Sequence, residues 1–130
     1  MIGRLWRQLD WVRLWRVGGW LGVIVTLVAS LMPSFLKESS GHTDKILHLV
    51  AYAVLMFWWA QLVIQKRWKL AVAVVVFGGA IELLQGLTPD RQPELLDALA
   101  NIGGVLLGWL AARFVPNLPE RLAMLSASRH

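Results

Sequence analysis

The sequence of 130 residues holds no cysteine, a single tyrosine and only 16% charged residues. The missing cysteine excludes disulfides, thiolate metal ligands and a thiol nucleophile, so any chemistry falls to His, carboxylates, Arg, Ser or Tyr. Charge is too scarce to cover a globular surface, since soluble domains carry about 25% charged residues. No segment is low in complexity, and no period of a solenoid or propeller repeats. What abounds is apolar: 57% hydrophobic residues and eight tryptophans. The length fits one domain, and the solvent that such a composition asks for is the bilayer.

Four stretches are long and apolar enough to cross a hydrocarbon core, which takes roughly 20 helical residues: Val17 to Leu36, Ile46 to Ile64, Leu70 to Leu87 and Leu95 to Val115. Backbone polar groups in lipid must be satisfied within the segment, which selects helices; a β-barrel would show alternating strands instead. The expectation is an all-α, four-helix transmembrane bundle, with residues 17–115 as the membrane domain and 116–130 as a C-terminal tail. Short links with Pro33, Ser39, Ser40 and Gly41, then Gln65 to Lys69, then Thr88 to Glu94, imply antiparallel neighbours.

The bases define an orientation. Arg4, Arg7, Arg13, Arg16, Lys66, Arg67, Lys69, Arg113, Arg121 and Arg129 fall on one side, against Lys37, Lys45 and Arg91 on the other. The positive-inside rule then puts both termini and the Lys66 loop in the cytoplasm. The net charge of +5 therefore reads as a topology signal rather than a nucleic-acid footprint. In residues 1–16, Ile2, Leu5, Leu9 and Val12 recur at helical spacing opposite Arg4, Arg7 and Gln8, the pattern of a short interfacial amphipathic helix, although Arg13 and Arg16 fall on its apolar side. A cleaved signal peptide fits worse, because the apolar run that follows is too long.

Ionisable residues at bilayer depth cost a few kcal/mol each on insertion scales and so call for a partner or a role. Asp44, His48 and Tyr52 share one face of the second helix at i, i+4, i+8, with Lys45 beside them. Glu82 and Gln85 share a face of the third, and Asp97 and Asn101 of the fourth. At 1.5 Å rise per residue all lie within about 9 Å of the outward helix ends. The other halves, Val54 to Trp59, Leu70 to Phe77 and Val105 to Ala112, hold nothing ionisable. A transmembrane ion path needs polar stations throughout its depth, so a one-sided polar cup is the better reading.

Within the cup, His48, Glu82 and Asp97 are the candidates for acid/base work, and Asp44, Lys45, Tyr52, Gln85, Arg91 and Asn101 for ligand binding. Each has a plainer alternative. Asp44 begins a helix, Glu82 can staple helices, Arg91 can pair with Asp90, Glu94 or Asp97, and the amides can hydrogen-bond across the bundle. A metal site from Asp44, His48, Glu82 and Asp97 has no diagnostic spacing, and no metal or cofactor is expected. Ser39 or Ser40 with a histidine and Asp44 lacks a nucleophile elbow. Gly104 and Gly108 form a small-residue contact patch, suited to helix packing or to a homo-oligomer. Trp58 and Trp59 read as ordinary lipid-facing or packing aromatics.

The runs DKILHLVAY, from Asp44 to Tyr52, and ELLQGLTPDRQPELLDALANIGG, from Glu82 to Gly104, resemble the VanZ-like family of bacterial membrane proteins. The resemblance spans roughly residues 43 to 108 and leaves the N-terminal region outside it. It implies a small multi-pass protein of the bacterial cytoplasmic membrane, linked in some members to teicoplanin resistance and the cell envelope. Three functions follow as expectations: a binder of envelope-lipid headgroups or glycopeptide-type ligands, an acid/base hydrolase or transferase acting on lipid-linked envelope intermediates, and a structural or partner-binding subunit.

Overall fold

The computed structural model describes residues 10–32, 41–87, 95–115 and 117–128, with the backbone alone over 41–44. The described residues form five helices and no strand: α1 Trp11–Leu31, α2 Gly41–Ala60, α3 Arg67–Gly86, α4 Leu95–Phe114 and α5 Leu118–Ala127. Three helical stretches are long and apolar enough to cross a membrane: α1, α3, and the run that α4 begins. Helix α2 also carries an apolar stretch over Lys45–Ala60.

The ends of α1 depart from expectation for local reasons. The helix starts at Trp11, where the Asp10 carboxylate caps it by accepting the backbone N–H of Arg13 at 3.1 Å. No breaker separates Trp11 to Arg16 from the apolar run, so these residues belong to α1 and form no separate interfacial helix; residues 1–9 lie outside the described residues. At the other end Met32 is extended, with ψ 143°, as the residue before a proline prefers, and α1 stops ahead of Pro33 instead of running to Leu36. The stretch expected as a C-terminal tail contains α5, which Pro119 helps to start and Asn117 precedes in the left-handed conformation (φ 60°).

Helices α2 and α4 make the most extensive pairing, with α3 packed on both. Helix α1 lies against α2 and α3 but not against α4, and α5 packs on α1. The tightness of α2 on α4 comes from glycine. A Cβ on Gly104 would strike the carbonyl oxygen of Leu49, and one on Gly108 would strike that of Ala53, so the two backbones are in direct contact. The small-residue patch thus receives α2 of the same chain. Around it sit Tyr52, Leu55, Met56, Val74, Val105 and Ala112 as an apolar core.

The end opposite His48 is tied by side chains. Trp15 and Trp58 stack with centroids 3.9 Å apart and an 11° tilt. Each indole N–H donates to the other residue's backbone carbonyl at 2.7 Å. Gly18 and Gly19 make the space, since a Cβ on either would lie 2.8 Å from the ring of Trp58 or Trp59. Trp58 and Trp59 therefore pack against α1, the packing alternative of their expected role, and Trp15 with Trp58 clasps α1 to α2. Buried Gln61 donates to the carbonyl of Val115 and accepts from the N–H of Leu118, which sets the turn from α4 into α5. Arg67 donates to the carbonyls of Val63, Ala60 and, at 3.5 Å, Ala112. Those oxygens belong to the last turns of α2 and α4 or just beyond, where the helix leaves carbonyls without intrahelical donors and the dipole favours a cation.

Candidate functional site

Apart from Gln61, the buried polar side chains of the described residues gather toward the other end. Tyr52 is 1% exposed, Asn101 3%, Gln85 5%, Glu82 7% and Asp97 9%. They come from α2, α3 and α4, and each lies on the face that its helix turns inward because the remaining faces are apolar.

The centre is a three-helix contact. The Nδ1 of His48 and Oδ1 of Asn101 are 3.0 Å apart. An amide oxygen only accepts, so with the Asn101 amide in this orientation the contact calls for a proton on the facing Nδ1. The rings of His48 and Tyr52 lie nearly parallel with centroids 6.4 Å apart, and Phe77 of α3 lies tilted by 48° against Tyr52, also at 6.4 Å. Gly78 makes this convergence possible: a Cβ there would stand 3.0 Å from both Asn101 Nδ2 and Tyr52 Cε1. The Tyr52 hydroxyl is buried and makes no hydrogen bond among the described residues, while the Glu82 carboxylate lies close enough to act on it electrostatically.

Depth within the helices is less uniform than the sequence suggests. By the helical rise, Asp97, Glu82 and Gln85 lie about 3, 6 and 2 Å from the nearer ends of α4 and α3, and Asn101 about 9 Å. But α2 begins at Gly41, five residues before the expected start, which puts Tyr52 about 16 Å from its first residue, near mid-helix. The cup is therefore graded: carboxylates near the helix ends, then the His48–Asn101 pair, then a phenol at the bottom.

Gln85 makes the cross-bundle hydrogen bond that is the plainer reading of its amide. Its amide donates to the carbonyl of Ser30 at 2.7 Å, in the last turn of α1, and so holds α1 over the site. Lys45 is half-buried on α2. The Asp44 side chain and Arg91 lie outside the described residues. Among those residues no group of three or more His, Asp or Glu is placed to hold a metal ion.

Sequence reasoning missed Gln61, Arg67 and the Trp15–Trp58 clasp. Gln61 and Arg67 carried a signal, being polar residues placed where one helix ends and the next begins, at the very spot where free carbonyls collect. The tryptophans carried none, since nothing in a sequence shows that two indoles 43 positions apart will exchange hydrogen bonds.

Comparison with curated proteins and with solved structures gives no match. The sequence profile of the VanZ/LLP1 family matches residues 2–116. That span is wider than the motif-bearing core and takes in α1, which the residue-by-residue resemblance left outside. From its first helix to the end of its fourth, the chain belongs to the VanZ/LLP1 family.

Proposed function

We propose that this protein spans the bacterial cytoplasmic membrane with α1 to α4, both termini in the cytoplasm, and binds the headgroup of an envelope lipid or lipid-anchored glycopeptide in its outward-facing polar cup. The orientation follows the distribution of Lys and Arg. The observation that carries the reading is the convergence of His48, Tyr52, Glu82, Asp97 and Asn101 from three helices toward one end of a mostly apolar bundle. Burying such groups in a bilayer costs several kcal/mol in sum on insertion scales. The close α2–α4 backbone contact is made by Gly104 and Gly108 and not by these groups.

In this reading Lys45 and Arg91 receive the anionic part of the ligand, Arg91 by the two-pronged geometry of its guanidinium. Glu82 and Asp97 accept hydrogen bonds from hydroxyls or amines, Asn101 orients the His48 ring, and Tyr52 closes the floor. Family membership supports a role in the envelope, including resistance to glycopeptide antibiotics.

Native mass spectrometry of the purified protein tests the reading. Wild type is expected to retain a lipid that Arg91→Ala and Glu82→Gln lose, and expressed, folded variants are expected to lose any glycopeptide resistance that wild type confers. Identical lipid profiles in all three proteins refute it.

A further inference from the structure

Between α1 and α2 runs a notch of about 420 Å³ that the cup does not account for. Gly18, Gly22 and Thr26 line it from α1, and Ala51, Leu55 and Trp58 from α2, so its walls are almost wholly apolar. Its one hydroxyl is turned away, since Thr26 Oγ1 donates to the Gly22 carbonyl of its own helix at 2.8 Å. The Trp58 ring, locked by its stack and hydrogen bond with Trp15, closes the notch at the end remote from His48. At the other end Ala51 lies three residues, about one helical turn, from His48. One helix stripe thus passes from the polar site straight into an apolar notch with a stopped end.

We infer that this notch seats one hydrocarbon chain of a lipid whose polar end lies in the His48–Asn101 site. The width selects a chain over a helix: Gly18 and Gly19 pack directly on the Trp58 and Trp59 rings, so α1 and α2 already touch along the notch and leave no room for a third helix between them. The run from His48 to Trp58 is about 15 Å, half of a hydrocarbon core of about 30 Å. A single chain of that length hung from the cup therefore reaches the Trp15–Trp58 stop, which lies toward the far end of α2, about 25 Å from Gly41. The identity of the polar end rests on the function proposed above; the chain seat rests on the notch alone.

Gly22 supplies the test, because a Cβ there would meet only Leu55 Cδ1 at 3.7 Å, an ordinary contact, and a longer side chain would project into the notch. The full-length protein is reconstituted in phosphatidylethanolamine and phosphatidylglycerol vesicles containing a phosphatidylethanolamine with a mid-chain diazirine, irradiated, and its adducts mapped by peptide mass spectrometry. Adducts are expected at Thr26 and Leu55, and Gly22→Leu and Ala51→Leu are each expected to lose them while keeping those on the outer face of α3 at Val72 and Val76. A photo-crosslinking amino acid at Val25, on the rim, is expected to capture lipid. Equal labelling of notch and outer face, notch labelling unchanged in both filled variants, or capture of a second copy of the chain at Val25 overturns the inference. Glu82→Gln separates the two ideas: if the headgroup proposal fails and the chain seat holds, notch adducts persist while purified wild type and Glu82→Gln retain the same lipids.

Discussion

Two glycines show how much a single hydrogen can decide in this bundle. Gly104 lies with its Cα against the backbone of α2, where a methyl group would meet the Leu49 carbonyl, whereas Gly79, the residue after buried Gly78 on α3, is exposed, with none of the described residues within 4 Å of an added Cβ. Gly104→Ala is expected to lower stability by about 3 kcal/mol, at the severe end of overpacking. Gly79→Ala is expected to raise it by up to about 1 kcal/mol through helix propensity. Thermal unfolding in one detergent, with the two variants side by side, checks the pair. Asn101→Ala, which removes the partner of the His48 N–H, is expected to cost about 1 kcal/mol, the usual scale of interhelical hydrogen bonds in membranes. At this scale the sequence was informative about which residues turn inward: Glu82, Gln85, Asp97 and Asn101 are all buried, as their spacing on apolar helices implied. It was silent about partners. That Asn101 meets His48, or that Gln85 reaches Ser30, depends on the relative rotation of helices more than 50 residues apart, which no local pattern encodes.

Helices were legible as apolar runs, their ends less so. Composition averages over a window, while an end is set by one capping carboxylate at Asp10, one proline at position 33, or one guanidinium gathering carbonyls at Arg67. The last of these makes a prediction about whole elements. Arg67→Gln leaves the carbonyls of Ala60 and Val63 without their donor and is expected to cost about 2 kcal/mol, the range for hydrogen bonds to charged groups. It is also expected to expose the α2–α3 link, which limited proteolysis reads directly. Trp58→Phe keeps an aromatic face for Trp15 but removes one of the two indole donors, at an expected cost of about 1 kcal/mol. Because α1 buries little else than Gly19, loosening this clasp is expected to free α1 before the α2–α4 pair yields. Measured exchange of amide hydrogens should rise first over Trp11 to Leu31.

The molecule as a whole is arranged opposite to a soluble domain. Leucines and valines such as Val76 at 63% and Leu83 at 74% exposure cover the outside, while Glu82, Asp97, Asn101 and Gln61 are inside. That arrangement has a sharp signature. Val76→Lys, an exposed mid-helix change that would be neutral on a soluble protein, is expected to cost about 3 kcal/mol of membrane insertion. A glycosylation-reporter insertion assay of α3 checks it.

The pairing of α2 with α4 also constrains how the chain is made. The partner that covers the backbone of Leu49 and Ala53, and the amide that satisfies His48, are encoded some 50 residues later, after all of α3. While synthesis proceeds, α2 holds its imidazole and phenol in a bilayer, or at the mouth of the insertion machinery, with nothing yet to meet them. Its opening residues, with His42, Asp44 and Lys45 among them, give it little reason to settle early. Arrival of the last long helix is thus the committing event of biogenesis, and a nascent chain truncated after α3 is expected to be held by chaperones or degraded instead of persisting as a three-helix intermediate.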